Sequence, residues 1–453
     1  MRVAVVGGGI AGLAAAWELT SGPDPAEVTV LEPGSLGGRV QTEMFLDHPV
    51  DTGADAFIAR VPDGIQLARE LGLGDELVAP AARKALIWVG GRLHPLPEGL
   101  VLGAPAHLGP LLASGILSPT GVLRAGLDLV LPATHWPEDP TVAAVVGQRF
   151  GRQVAQRLVD PLVGGIHAGR TEDLSAESTA PQLARAARSH RSLLLGLRAM
   201  PTPGEGPLFL APRGGMGRLV TRLVEALVQR GVSFETVAAT AIHGEKGAGV
   251  VVEPLGAFHA VVLATPARIA SKLLNNDAPV AAAELRAIRT ASVVLTTMAY
   301  RRSAIAAPDG ISGWLVARGE GRLMTACSFG STKWPHWSDP DTMVLRVSAG
   351  RAGDERALNL DDGALVEQLQ REVAMALRTT ATPFQSRVSR WREAFPQYEV
   401  GHRERVARIE TALRRTLPGV ELAGCSLRGS GVPACVASGR QAARAVTART
   451  SGT

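Results

Sequence analysis

The chain of 453 residues is 46% hydrophobic, long enough to bury a large core and to hold two or three domains. Its net charge of +5 favours anionic partners only weakly, and scattered arginines with 4% aromatic residues exclude the stacking platforms of a nucleic-acid binder. Its three cysteines, Cys327, Cys425 and Cys435, show neither metal-ligand spacing nor a disulfide framework. With no charged n-region and apolar h-region ahead of the first strand, this predicts a reducing, cytoplasmic setting.

In chain order, "RVAVV" reads as a buried strand and "IAGLAAAWEL" as a helix, with Gly7, Gly8, Gly9 and Gly12 punctuating the junction. Gly7 permits a tight turn, Gly9 lets a pyrophosphate approach the backbone, and Gly12 lets the helix pack closely on the strand. The helix start, with Ile10 and Ala11, offers N–H groups and the positive end of a dipole to phosphate. A second apolar run, "EVTVLE", ends at Glu32, where a carboxylate can accept from adenosine ribose hydroxyls and disfavours a 2′-phosphate. A dinucleotide site follows, but the turn alone does not separate NAD from FAD.

The next stretch does separate them. "LEPGSLGGRVQTEMFLDHPVDTGADAF" follows the acid with Gly37, Gly38 and Arg39 and closes on Asp51, Gly53 and Asp55. It resembles the glycine pair and arginine of flavoproteins related to amine oxidases and protoporphyrinogen oxidases, in which a loop wraps the FAD diphosphate. Arg39 can offer that diphosphate a forked cation.

Residues 99–131 come nearest to a membrane span, but Arg124, Asp128 and prolines interrupt the run. A buried helical lobe, the wall of an apolar channel and a surface resting on a membrane all remain open for it. From His107 to about Arg198 the pattern is mainly helical, and residues 199–207 are rich in Pro and Gly and predict a loop. A helix over 217–230 precedes the strands "VSFET", "VVVEP" and "AVVLATPA", and 290–350 alternates as an antiparallel sheet does. At the end, Gly429, Gly431 and Pro433 build a turn into the helix "CVASGRQAARAV", whose N–H groups can face a flavin pyrimidine edge and stabilise negative charge there.

The phrases "GGRLHPLPEG", "RLVDPLVGGIHAG", "STKWPHW", "VLRVSAGRAGDE", "RWREAFPQYEVGH" and "GSGVPACVASGRQAA" resemble the protoporphyrinogen and coproporphyrinogen oxidases of haem synthesis, over almost the whole chain. Within that family the likeness is greatest to the bacterial enzymes acting on coproporphyrinogen III.

The resemblance implies an α/β and α+β fold: a discontinuous Rossmann-like FAD-binding domain (1–85, 208–275, 395–453), a helical lobe (86–207) and a substrate domain with a mixed, largely antiparallel sheet (276–394). It implies FAD contacts at Gly7 to Gly12, Glu32, Pro33, Arg39, Gly53, Ala54, Asp55, Ala56, Ala239, Trp391, Val432, Pro433 and Ala434. Arg60, Ile166 and Arg346 are the candidate substrate contacts, cations for propionates and an apolar side chain for the macrocycle face.

The implied reaction is a six-electron oxidation of coproporphyrinogen III to coproporphyrin III, with dioxygen as acceptor and hydrogen peroxide as by-product. The chemistry is centred on the flavin, so no side chain is nominated as catalytic; His94 and His167 are weak candidates for a base. Val61, His167, Ser348 and Ala434 depart from the family pattern, which bears on which porphyrinogen fits rather than on FAD. Protoporphyrinogen IX is therefore the alternative substrate. Other amine-oxidase-like chemistry is a further alternative, as is a non-catalytic flavin scaffold that passes porphyrin to a ferrochelatase. The remaining partner expectations are peripheral membrane contact without a transmembrane segment, and no nucleic acid.

Overall fold

A computed structural model describes residues 1–201, 206–245, 249–305 and 307–450. Residues 202–205, the middle of the Pro/Gly stretch expected as a loop, therefore lie outside the description. The chain divides into two compact units: unit 1 is Met1–Ala79, Gly206–Arg289 and Arg403–Thr453, and unit 2 is Pro80–Glu205 and Thr290–His402.

Unit 1 is organised by a five-stranded sheet. Its labelled elements are β1 (Arg2–Val6), α1 (Ile10–Leu19), β2 (Glu27–Leu31), α2 (Gly217–Gln229), β3 (Ser233–Glu235), β4 (Ala260–Leu263), β5 (Val420–Leu422) and α3 (Val432–Thr450). The strand order is β3-β2-β1-β4-β5, and every pairing is parallel. Val3, Ala4 and Val5 have no exposed surface, as expected of a central parallel strand covered on both faces.

Alanines dominate α1 because another helix lies directly on it: a Cβ added to Gly439 of α3 would come within 2.1 Å of the Ala11 carbonyl oxygen. That face is further fixed by Glu70, whose Oε2 accepts from the Trp17 indole at 2.8 Å and from the buried Arg440 guanidinium at 2.5 Å. In α2, Leu219, Leu223 and Leu227 fall four apart on the buried face, which is the periodicity that marks this segment as helical. An antiparallel meander, Ala241–Glu245, Gly249–Glu253 and Gly256–Phe258, surrounds the one strand expected there with two partners.

Unit 2 holds a seven-stranded sheet in the spatial order Gln385–Pro396, Thr290–Arg301, Thr342–Ala349, Met324–Phe329, Ile311–Val316, Lys84–Val89, Arg92–Pro95. The antiparallel character expected for 290–350 is present, but Ile311–Val316 pairs in parallel with Lys84–Val89. Such a pair joins segments far apart in sequence, so local alternation gives no sign of it. Trp314, Tyr300 and Phe329 fill one face of this sheet.

The helical lobe packs Val145, Val146, Phe150, Leu158, Leu183 and Leu194 into a core that also takes Ile87 and Val89 from the strand Lys84–Val89. Within it Ala155–Gly164 is a π-helix containing Pro161. Proline lacks the N–H and crowds the carbonyl one turn back, which disfavours regular α-helical bonding there.

Residues 99–131 divide into two faces: Leu111, Ile116, Leu117 and Ala125 are buried, whereas Leu112, Leu123 and Val130 are exposed. Asp128, fully buried, pairs with Arg149 and accepts from the Ser192 hydroxyl at 2.6 Å and the Leu194 amide at 2.8 Å. A charge so thoroughly partnered reads as a structural anchor. Among the described residues no helix is long and apolar enough to cross a membrane.

Candidate functional site

In a parallel sheet all strands end at one edge. Here the register aligns Val6 of β1 with Leu31 of β2 and Leu263 of β4, Leu31 with Glu235 of β3, and Leu263 with Leu422 of β5. The segments leaving that edge therefore start side by side, and in open α/β sheets this is where ligands bind. They carry the glycine turn after β1, Glu32 and Pro33 after β2, Ala239 after β3, and the Ala423–Gly431 loop into α3 after β5.

The turn itself is built by exclusion. Gly7 has a φ of +108°, and a Cβ there would come within 2.8 Å of the Ala264 oxygen. At Gly12 a Cβ would lie 1.9 Å from the Gly7 oxygen, so no other residue fits without moving the helix. Gly9 is different: a Cβ there meets nothing within 4 Å, which leaves open space above the helix start. Gly9 caps α1 without a side chain, so first-turn amides of the helix are available to an anion.

Glu32 braces this turn, with Oε2 accepting from the Gly8 amide at 2.8 Å and Oε1 from the Gly34 amide at 2.9 Å. Each carboxylate oxygen has a second lone pair, so bracing leaves capacity for a ribose hydroxyl. The loop carrying Arg39 lies against the turn, because the Gly37 amide donates to the Gly8 oxygen at 2.8 Å and Gly9 bridges to Gly37. Arg39 donates to the Cys425 sulfur at 3.4 Å, a partner that the sequence analysis did not foresee.

Gly53, Ala54, Asp55 and Ala56 are half-buried and run into the short strand Phe57–Ile58, on which α3 packs. Val432, Pro433 and Ala434 open α3, and Pro433 lies close to where a Cβ on Gly64 would stand, at 3.1 Å. Arg60 is exposed on the same stretch. The open volume over Gly9, the uncapped helix start, the braced acid and the nearby guanidinium suit an adenine dinucleotide carrying a flavin.

In unit 2, Trp391 lies on Gln385–Pro396 opposite Val293 and packs with Phe395 against Ala168, Ala291 and Val293. Ile166 exposes 51% of its surface, while the adjacent His167 is buried. Desolvation lowers the His167 pKa to about 4, leaving the ring neutral near pH 7. Arg346 holds its guanidinium 5.6 Å from the centre of the Trp337 ring, a cation–π contact that the strand pattern did not announce. His94 lies on the strand Arg92–Pro95, where Nε2 accepts from Arg92 at 3.1 Å and Nδ1 donates to the Ser114 carbonyl at 3.1 Å. Both ring nitrogens are thus occupied in holding structure.

Cys425 meets Cys435, their side chains hydrogen-bonded, a pair that no spacing rule marks in the sequence. The signal lay in the turn "GSGVPAC", which folds the chain back between them.

A family profile for flavin-containing amine oxidoreductases matches residues 10–447. Among curated relatives, the coproporphyrinogen III oxidase of Mycobacterium tuberculosis is 37% identical over 98% of this chain and 96% of its own. That of Bacillus subtilis is 30% identical over 97% of each. A solved structure from Exiguobacterium sp. 255-15, assigned as a protoporphyrinogen oxidase, superposes with a TM-score of 0.89 at 30% identity, covering 99% of both chains. Cyclohexylamine oxidase from Brevibacterium oxydans shares the fold, with a TM-score of 0.71 at 17% identity.

Proposed function

The chain belongs to the flavin-containing amine oxidoreductases and, within them, to the protoporphyrinogen/coproporphyrinogen oxidase family, and from that membership we propose that it is an FAD-dependent oxidase of coproporphyrinogen III. The product is coproporphyrin III, dioxygen the acceptor and hydrogen peroxide the by-product. The observation that carries this reading is likeness from end to end: 37% identity over 98% of the chain to an enzyme named for that reaction.

Bound FAD supplies the hydride acceptor. The chain's own part is to bind and orient. Gly7 to Gly12 and the start of α1 present backbone N–H groups to the diphosphate, and Arg39 adds a cation. Glu32, held by Gly8 and Gly34, would accept from the adenosine ribose. Gly53 to Ala56, and Ala239 by its main chain, would add contacts to the cofactor, and Val432 to Ala434, at the start of α3, would offer helix N–H groups to the flavin. The roles of Trp391 toward the flavin, and of Arg60, Ile166 and Arg346 toward the porphyrinogen, rest on the family likeness.

His167, neutral and buried, does not supply a cation to a propionate. Peripheral membrane contact is supported by the exposed Leu123 and Val130, and transfer of product to a ferrochelatase completes the proposed partners.

The test is the absorption spectrum of the purified protein, followed by anaerobic titration with coproporphyrinogen III and readmission of air. Flavin bleaching, then porphyrin fluorescence with matching peroxide, is the expected result. Bound FAD with no acceleration over autoxidation would overturn the proposal. Protoporphyrinogen IX is the second reading, favoured by 31% identity over 98% of the chain to the protoporphyrinogen oxidase of Bos taurus. Comparison of kcat/KM for the two substrates decides between them.

A further inference from the structure

Cys425 and Cys435 come from opposite sides of the Gly429–Pro433 turn and meet in unit 1. Both neighbours of Cys425 are pinned: the Gly424 amide donates to the Ser438 hydroxyl of α3 at 3.0 Å, and the Ser426 hydroxyl accepts from the Ala267 amide at 3.2 Å. Cys435 sits in the first turn of α3, where its amide donates to the Gly431 oxygen at 3.0 Å. The two thiols are hydrogen-bonded, and Arg39 Nη1 donates to Cys425 Sγ at 3.4 Å.

A thiol that receives a hydrogen bond from its neighbour and another from a guanidinium is the one whose anion is stabilised. The Cys425 pKa is accordingly brought down to about 6, first by the Cys435 hydrogen bond and also by Arg39. Donating that bond, together with burial, pushes Cys435 well up. Cys425 is half-buried, whereas the buried Cys327 is pushed up by desolvation alone and serves as an internal control.

We propose that Cys425 and Cys435 form a peroxide-oxidisable dithiol, with Cys425 as the attacking thiolate and Cys435 as the resolving thiol. The Cys425 thiolate attacks one peroxide oxygen and the O–O bond breaks. A sulfenic acid forms on Cys425, and the departing hydroxide takes a proton from solvent and leaves as water. The Cys435 sulfur then attacks the sulfenyl sulfur, an S–S bond forms, and the Cys435 proton leaves with the second hydroxide as water. Two thiols have lost two electrons, and one peroxide has become two waters. The oxidant is a hydroperoxide, the class of by-product expected of the proposed oxidase, although any source of peroxide suffices.

The experiment treats the FAD-loaded full-length protein with added hydrogen peroxide, without porphyrinogen. It then counts thiols after denaturation and maps the linked peptides by mass. Two of the three thiols are expected to disappear together, joined as Cys425–Cys435, with Cys327 retained and dithiothreitol restoring both. Cys435→Ser should stop at a Cys425 sulfenic acid that dimedone labels, and Cys425→Ser should slow the oxidation of Cys435 roughly tenfold or more. Survival of all three thiols in the wild-type protein, or oxidation confined to Cys327, would overturn the proposal. Because no substrate is used, failure here leaves the oxidase reading untouched, and failure of that reading leaves this result interpretable.

Discussion

The carboxyl edge of the unit 1 sheet and the helical lobe of unit 2 are built from different materials. At the sheet edge the working groups are backbone amides, and they are exposed because side chains are missing: Gly12 admits no Cβ beside the Gly7 oxygen, and Gly9 leaves its surroundings open. In the lobe the working groups are side chains, Asp128 with Arg149, Ser192 and a helix amide, and they are held by burial. The first region is broken by an added atom at Gly12, and the second by a lost partner of Asp128.

The hardest way to break the first region is Gly12→Val. Its Cβ starts 1.9 Å from the Gly7 oxygen, so the turn and α1 cannot both persist. The expected result is protein that retains no flavin, read as the ratio of visible to protein absorbance. For the second region, Arg149→Ala strands the fully buried Asp128 and should destabilise the protein by about 3–5 kcal/mol in urea unfolding.

Acid sharpens the contrast. The His167 pKa is lowered from 6.5 to about 4 by burial, so below pH 6.5 the unfolded chain binds a proton that the folded chain refuses. The stability this residue contributes is complete above pH 6.5 and is lost as pH falls toward about 4, at most about 3 kcal/mol. His167→Phe should flatten that acid limb in urea midpoints measured from pH 7 down to pH 5. The gentlest change is Gly9→Ala, where the new methyl meets no protein atom within 4 Å. Stability should move by less than about 1 kcal/mol while flavin affinity falls, which titration calorimetry with FAD would read against an unchanged melting temperature.

The same contrast explains what was legible in the sequence. Strand, glycine turn, helix and acid lie within one short stretch, and their geometry depends on which residues lack side chains, so "VVGGGIAG" and Glu32 announce it directly. The α/β and α+β class was legible through the family resemblance carried by phrases such as "RWREAFPQYEVGH". Contacts closed over long distances did not announce themselves: the parallel pairing of Ile311–Val316 with Lys84–Val89, and the Arg39–Cys425 hydrogen bond. His94 illustrates the limit well. A histidine in "LHPLP" looks available for chemistry until Arg92 and the Ser114 carbonyl are found on its two nitrogens.

The order of strands across the sheet carries a consequence for biosynthesis. β1 sits between β2, made moments later, and β4, made after the helical lobe, while β5 and α3 come after all of unit 2. Until these are made, a nascent polypeptide leaving the ribosome exposes a partial sheet, since its outer strand and the helix that covers α1 do not yet exist. Unit 1 becomes a complete folding unit only once β5 and α3 have been made, so acquisition of the coenzyme follows the synthesis of both.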